Sequence, residues 1–297
     1  MCHALRRDIR SCLFFKGFDL SYFFDRRNFS VMKSKFGMYS LAIGAFALAI
    51  TGCGGKKEES TEAPAPAAGA PSGKTVDPAT AGEVTGSVKL DGAAPKMKTI
   101  SMAAEPACAK GHTGPVMSEE VVTGDGGALA NVVVYVKSGL DGYSFPAPTT
   151  PVKFDQQGCQ YHPHVAGVQV GQNIEVVNDD QTTHNIHPIP KENREWNESQ
   201  PPGAAPIDKS FAREEVAIPV KCNVHPWMKA YMAVLANPYF QVTEKDGKFD
   251  LKNLPPGNYT LVAWHELYGP SEQAITVGPK ETKNVTFTFK ATAPAGD

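Results

Sequence analysis

Three side chains that bind soft metals lie close together near residue 222. They are Cys222, His225 and Met228, each three residues after the previous one. At this spacing a thiolate, an imidazole and a thioether can converge on one ion from a single tight loop that follows a strand. Sulfur favours Cu(I), imidazole accepts both oxidation states of copper, and a trigonal His₂Cys set with a weak axial Met is the blue-copper arrangement. The pattern therefore points to copper and requires a second histidine.

The second histidine is available at His184, where a strand runs into a polar loop and the next residue is Asn185. This order of residues resembles the cupredoxin family of blue-copper proteins, of the plastocyanin and amicyanin type, over residues 83–236. The resemblance implies that His184 and the three residues above are the ligands of one type 1 copper. It also implies that Asn185 hydrogen-bonds across to the ligand loop and holds the site in one geometry for both oxidation states.

Two other interpretations of these residues stay open. A Cys-x-x-His pair with a nearby histidine can hold zinc, although structural zinc prefers four Cys or His donors and gains little from a thioether. Cys222 and Met228 can also be ordinary core residues, which leaves His225 between Val224 and Pro226 without a purpose.

The beginning of the chain is typical of an exported lipoprotein. Its only long apolar run, residues 39–50, is shorter than the roughly 20 residues that cross a bilayer and follows a basic segment that begins at Met32. The Thr-Gly-Cys sequence ending at Cys53 resembles a bacterial lipobox, which implies that Cys53 carries lipid. We interpret residues 1–52 as a signal region whose true start is Met32, and residues 53–82, with few large apolar side chains, as a disordered tether.

In the secreted part, after residue 52, two cysteines remain once Cys53 is lipidated and Cys222 binds metal, namely Cys108 and Cys159. In an oxidising periplasm two such thiols should pair, so we predict a disulfide between them. The alternative is a second metal site formed by Cys159 with His162 or His164.

The other histidines and one tryptophan have simpler interpretations. His187 is interpreted as a solvated loop residue or a substitute ligand, and His112 and His265 as surface or packing residues. Trp227 either shields the copper edge, or forms an apolar docking patch, or is an ordinary half-buried aromatic.

Short β-rich segments separated by Gly, Pro and Asn-Asp must position these residues. They predict strands at residues 84–90, 131–137, 165–170, 173–177, 214–222 and 228–235. No convincing amphipathic helix accompanies them, so we predict an all-β chain in which residues 83–236 form a cupredoxin-like antiparallel β-sandwich.

A second β unit follows at residues 237–291. The pattern Gly-x-Phe-x-Leu-x-Asn-Leu-Pro-Pro-Gly-x-Tyr, from Gly247 to Tyr259, resembles the carboxypeptidase regulatory-like domain. The resemblance implies a small transthyretin-like β-sandwich without a catalytic role of its own. One of its faces should be filled by Phe249, Leu251, Leu254, Tyr259, Leu261 and Ala263. Residues 292–297 are interpreted as a disordered tail.

The charge and the motifs of the sequence disfavour two classes of function, nucleic-acid binding and catalysis. After residue 52 the chain has 21 basic and 28 acidic side chains and no Lys/Arg cluster, so we expect no nucleic-acid partner. Ser-His-Asp order, a phosphate-binding Gly-rich loop and His-Glu-x-x-His are absent from the sequence, which disfavours an enzyme. The adjacent acidic pairs at residues 119–120, 179–180 and 214–215 are interpreted as solvated surface, because neighbouring residues of a strand point to opposite faces.

These residues predict a membrane-tethered periplasmic blue-copper protein that transfers single electrons. Its partner is expected to be a periplasmic redox protein that meets the surface near His225, Pro226 and Trp227. Because Gly54 rather than Asp follows the lipidated cysteine, the outer membrane is favoured over the inner membrane. The alternative, from a different class, is a non-redox copper-holding or envelope-binding scaffold lipoprotein.

Overall fold

The computed structural model describes residues 73–291 of the 297-residue chain. The predicted signal region, Cys53, most of the predicted tether and the tail at 292–297 lie outside the described residues. The described part is almost entirely β-structure, as predicted, with one short α-helix, α1 (Pro106–Lys110), and one 3-10 turn (Asp125–Gly127). No helix in this part is long and apolar enough to cross a membrane.

Eighteen strands are present in the described chain. In order they are β1 (Gly82–Asp91), β2 (Thr99–Ile100), β3 (Val116–Met117), β4 (Val133–Ser138), β5 (Val152–Gln157), β6 (Gln160–His162), β7 (Val165–Gln169), β8 (Ile174–Asn178), β9 (His184–Pro188), β10 (Glu198–Gln200), β11 (Ile207–Lys209), β12 (Glu215–Lys221), β13 (Lys229–Leu235), β14 (Phe240–Val242), β15 (Lys248–Leu254), β16 (Gly257–His265), β17 (Gly269–Val277) and β18 (Thr282–Lys290).

The N-terminal sandwich consists of two sheets with strand orders β10-β9-β12-β13-β7 and β11-β8-β5-β6. Strand β7 is parallel to β13 and β5 is parallel to β8, whereas the other pairs are antiparallel. Apolar side chains from both sheets, among them Phe154, Ile186, Ile218 and Met232, form one buried core between them. Burying these side chains is the main force that holds the two sheets together.

The C-terminal sandwich consists of sheets β15-β1-β18 and β14-β4-β16-β17. The six residues predicted to fill one face of this unit are all members of its buried core, which confirms that prediction.

The C-terminal sandwich is not built from residues 237–291 alone. Strand β1 lies between β15 and β18, and β4 lies between β14 and β16, so the C-terminal sandwich takes two central strands from the first half of the chain. The physical reason is that β14–β18 leave gaps in both sheets, and an unpaired strand edge at such a gap exposes backbone N–H and C=O groups.

Three strands are buried on both faces and join the two sandwiches. In β13, Ala230, Met232 and Val234 pack inside the N-terminal sandwich, whereas Ala233 and Leu235 pack in a separate cluster with β4 and β16. Strands β4 and β16 alternate in the same way between this cluster and the core of the C-terminal sandwich. Because successive side chains of a strand point to opposite faces, the four sheets enclose three apolar layers.

The end of the predicted tether is part of the structure. The amide of Lys74 donates a hydrogen bond of 2.7 Å to the carbonyl of Gly142, and β1 begins at Gly82. The prediction of disorder up to residue 82 is therefore wrong for residues 73–82, whose backbone pairs with the folded body.

Candidate metal centre

Strands β9, β12 and β13 bring the predicted ligands together. His184 is the first residue of β9, Cys222 follows the last residue of β12, and Met228 precedes the first residue of β13. The loop between β12 and β13 is closed by two hydrogen bonds, from the Cys222 amide to the Met228 carbonyl (3.2 Å) and from the Met228 amide to the His225 carbonyl (2.9 Å). A hairpin between two central strands therefore presents three of the four side chains.

The donor atoms of His184, Cys222 and His225 lie within 4.8 Å of one another. The two Nδ1 atoms of the histidines are 2.8 Å apart, and Cys222 Sγ is 3.8 Å from His225 Nδ1. His184 and His225 are 0% exposed and Cys222 is 3% exposed. Two buried imidazole nitrogens that face each other beside a thiol must share a proton or a cation.

The side chain of Met228 is 1% exposed and belongs to the same buried cluster as Cys222. It lies on the ligand loop where the sequence predicts the axial ligand. Its thioether is a weak, polarizable donor.

Asp180 fixes the orientation of His184. Its Oδ2 accepts a hydrogen bond of 2.8 Å from His184 Nε2, which leaves Nδ1 facing the other donors. Burial would lower the pKa of His184, but Asp180 and the Cys222 sulfur outweigh burial and raise it. Burial would likewise raise the pKa of Asp180, but His184 and two backbone amides lower it. Such a carboxylate behind a ligand histidine sets its tautomer and its basicity.

Backbone amides are directed at the sulfur of Cys222. The His225 amide donates to Sγ at 3.3 Å, and the amides of Asn185 and Val224 also contribute. Burial would raise the pKa of the Cys222 thiol, but the hydrogen bond with His184 and these amides lower it. Burial, followed by the nearby charge of His184, lowers the pKa of His225. The site therefore favours a thiolate beside one protonated imidazole, and a metal cation can replace that proton.

Asn185 connects β9 to the ligand loop, as the resemblance implies. Its Oδ1 accepts a hydrogen bond of 2.6 Å from the Asn223 amide and lies 3.3 Å from Cys222 Sγ. Its Nδ2 donates to Asn197 Oδ1 at 2.6 Å. The side chain is thus held at both ends and fixes the distance between the two segments.

The donor set fits copper better than structural zinc. Two imidazoles, one thiolate and a buried thioether match the ligands that copper accepts in both oxidation states. The cluster in the described residues contains three Cys or His donors, whereas structural zinc takes four.

The predicted disulfide between Cys108 and Cys159 is confirmed, with a sulfur–sulfur distance of 2.03 Å. The alternative second metal site is therefore wrong, because Cys159 has no free thiolate. His162 is exposed, and His164 is hydrogen-bonded to Glu266. A second group of metal-ligand types, Cys159, Asp180 and His184, is excluded for the same reason.

The remaining histidines lie outside the cluster. His187 bonds to Glu195 (2.6 Å) and Asn223 (3.2 Å), and His112 approaches the Gly158 carbonyl at 2.7 Å. His265 is fully buried, in agreement with a packing role.

The surface near the ligand loop differs from the expectation. His225 contributes no surface, because its ring is covered, whereas Pro226 is exposed and Val224 is 50% exposed. Trp227 is half-buried, its ring centroid is 5.1 Å from that of His225, and its indole donates to the Cys159 carbonyl at 3.1 Å. A partner at this face would contact Val224, Pro226 and Trp227 rather than the imidazole.

Two acidic residues that the sequence assigns to solvated surface have structural roles. Asp180 holds His184, and Glu215 accepts hydrogen bonds from the amides of residues 191–193. Asp180 lies four residues before the candidate ligand His184. That spacing could have indicated its role, because metal-binding histidines commonly donate a hydrogen bond to a nearby carboxylate.

Comparison with known proteins agrees with part of this description. Residues 237–290 match the carboxypeptidase regulatory-like domain. A comparison with curated proteins gives no match.

Solved structures similar to this chain include a nitrite reductase, a cupredoxin and an amicyanin. A copper-containing nitrite reductase from Thermus scotoductus SA-01 has 20% identity over 33% of this chain and 25% of its own, with a TM-score of 0.27. A purple cupredoxin from Nitrosopumilus maritimus has 22% identity over 28% of this chain and 98% of its own (TM-score 0.24). An oxidised amicyanin mutant has 14% identity over 34% of this chain and 97% of its own (TM-score 0.26). Since these TM-scores are low and the chain spans a quarter of the reductase, the functional conclusion rests on the side-chain geometry.

Proposed function

We propose that this protein is a membrane-tethered periplasmic blue-copper protein that transfers single electrons between redox partners. The observation that supports the proposal is the buried convergence of His184 Nδ1, Cys222 Sγ and His225 Nδ1 on one point. Met228 completes the proposed ligand set from the same loop. Copper would supply a one-electron couple at this position.

The protein itself holds the donor atoms in fixed positions. Cys222 and Met228 flank a hairpin loop, His184 is fixed by Asp180, and Asn185 ties the two segments together. A site whose ligands are held in place reorganises little when its charge changes, which favours electron transfer over chemistry on a bound substrate. The near-zero exposure of the donors would also keep water and substrates away from a bound ion.

The simplest test is colour followed by voltammetry. The purified protein without its metal should bind one Cu(II) and become blue or green, because a thiolate bound to Cu(II) gives a strong visible charge-transfer band. A reversible one-electron couple should then be observed. A colourless copper-loaded protein would contradict the proposal, and tightly held Cu(I) that never oxidises would favour the copper-holding alternative. Zn(II) serves as the control, since it binds thiolates without a visible band.

The proposed location depends on Cys53, which lies outside the described residues. Acyl chains on this residue would anchor the protein, and a flexible tether would let the copper unit meet a periplasmic redox protein. Cell fractionation of wild type and Cys53→Ala tests this. Wild type should be found with the outer membrane, and the variant should be soluble or uncleaved. A wild-type chain that is soluble and still carries residues upstream of Cys53 would exclude the anchor.

A further inference from the structure

The imidazole of His225 is covered on the edge that faces away from the other donors. Its Nε2 lies 3.8 Å from Cys108 Sγ, and both residues are buried. Cys108 is one half of the disulfide with Cys159. A disulfide therefore lies against the edge of His225 that faces away from the other donors.

The other half of the disulfide is connected to His184. The amides of Gly158 and Cys159 donate hydrogen bonds of 2.7 Å to the two carboxylate oxygens of Asp180. Asp180 Oδ2 in turn accepts the hydrogen bond from His184 Nε2 at 2.8 Å. The turn that carries Cys159 thus fixes the carboxylate that orients the second histidine.

Cys108 itself lies on a segment, residues 99–117, which we name the cover segment. It consists of β2, α1 and β3, and β2 and β3 pair only with each other among the described strands. Its other contacts with the N-terminal sandwich include the buried side chain of Met102 and the approach of His112 to the Gly158 carbonyl. Ile100 and Val116 also pack against the core of the N-terminal sandwich. Since strand pairing does not attach the cover segment to either sandwich, the disulfide is the covalent cross-link that adds to this apolar packing.

We propose that the Cys108–Cys159 disulfide is a positioning element of the metal centre, which closes the cover segment over His225 and, through Asp180, fixes His184. Both histidines are held from behind while their Nδ1 atoms face the metal position. The disulfide also shields the centre, because opening the cover segment would expose the His225 ring to water. The proposal rests on the ligand set assigned above and adds the role of a bond outside that set.

The experiment measures histidine reactivity in the metal-free full-length protein. Diethyl pyrocarbonate acylates accessible imidazoles, and peptide mass spectrometry assigns each modified residue. In wild type the exposed His162 should react while His184 and His225 stay protected. In the double variant Cys108→Ala/Cys159→Ala, His225 should react at least about tenfold faster relative to His162, because the cover segment opens locally. Unchanged protection of His225 in a folded double variant would overturn the proposal.

A matched control separates positioning from loss of stability. Leu261→Ala removes a buried side chain from the C-terminal sandwich, remote from the metal centre, and should leave His225 protected. Equal exposure of His225 in this variant would mean that general destabilisation explains the result, and would overturn the proposal.

A second variant tests the connection to His184 and remains decisive should the double variant fail to fold. Asp180→Asn keeps the size of the side chain and weakens its hydrogen bonds with His184 and the two amides. The reactivity of His184 should rise while His225 stays protected under the intact disulfide. Unchanged reactivity of His184 would overturn the positioning role. Because no metal is present in these measurements, their failure is distinguishable from failure of copper binding.

Discussion

The C-terminal sandwich is filled mainly with Val, Leu, Ile, Phe, Tyr and Ala side chains, and the buried polar side chains in this part include Asn237, Thr243 and His265. The N-terminal sandwich instead gathers buried polar and metal-binding groups in one place. At one end of this sandwich lie His184, Asn185, Cys222 and His225, all buried. Buried amides such as Gln156 and Gln200, which hydrogen-bond to each other at 2.7 Å, add to this content. Two sandwiches built from the same kind of sheets thus differ in whether their buried polar side chains form a cluster that could hold a metal.

The buried polar groups of the N-terminal sandwich give a physical reason for its packing against the C-terminal sandwich. A buried polar group costs free energy unless it is hydrogen-bonded. A sandwich that buries such groups in a metal centre therefore gains less free energy of folding from its interior than an apolar one. The apolar layer shared by β13, β4 and β16 gives the strands behind the centre a second buried face. We infer that the C-terminal sandwich acts as a support for the hairpin that carries Cys222 and Met228.

The largest expected effect is in the metal-binding sandwich. Cys222→Ser should abolish the visible band of the copper-loaded protein, because Cys222 is the only free cysteine of the described chain. An oxygen in place of sulfur cannot give thiolate charge transfer. Visible spectroscopy of both proteins, loaded with equal copper, measures this.

The control for that experiment is structural. Thermal unfolding of metal-free Cys222→Ser should show a folded protein, since the substitution changes one atom. Retention of the colour in a folded variant would remove Cys222 from the ligand set.

The second-largest effect is expected in the C-terminal sandwich, where a substitution should change the free energy of unfolding and leave the copper spectrum unchanged. Leu261→Ala removes a fully buried side chain from β16 and should destabilise the protein by about 2–5 kcal/mol, as lost burial and a residual cavity add. The copper spectrum of the variant, measured below its unfolding temperature, should match wild type. Urea unfolding and visible spectra test the two statements, and a changed spectrum would show that the sandwiches are more tightly coupled than the comparison states.

The fold was predictable from sequence where local pattern suffices. Strands with continuous apolar runs, such as β4 and β13, are found where expected because they are buried on both faces. The assignment of β1 to the C-terminal sandwich was not predictable, since its pairing with β18 joins residues about 200 positions apart, and nothing in the local sequence of β1 encodes that register.

The residues that form the metal centre were predictable from the sequence, whereas the groups that surround and orient them were not. Cys222, His225 and Met228 stand out because their types and spacing fit one loop. Asp180 was assigned to solvent because an adjacent acidic pair suggests exposure, and its role depends on a turn at residues 158–159 that folds toward it. The disulfide was predicted by elimination, but its position over His225 depends on tertiary packing alone.

The smallest effect tests the contact between the two units. His164, which precedes β7, is hydrogen-bonded to Glu266, which follows β16, and both side chains are almost fully buried. Burial would lower the pKa of His164, but Glu266, then Glu119 and the Lys229 backbone, outweigh it and raise the pKa. A raised pKa means that the folded protein holds this proton more tightly than the unfolded chain. The resulting stability is fully present below about pH 6.5 and is lost as pH rises through the raised pKa.

Glu266→Gln removes the carboxylate and keeps the shape, so it should destabilise the metal-free protein by about 1–3 kcal/mol below pH 6.5. The difference from wild type should shrink as the pH rises, because the charge on His164 is then lost from wild type as well. Urea unfolding of both proteins across pH 5.5–9 (roughly the range in which histidines titrate) measures this difference, and the contributions of other titrating groups cancel in it. The matched control is Glu272→Gln, which breaks the exposed pair with Lys137 and should cost less than about 1 kcal/mol without this pH dependence. If the two variants behave alike, the buried pair contributes no more than a surface ion pair, and the apolar layer alone holds the two sandwiches together.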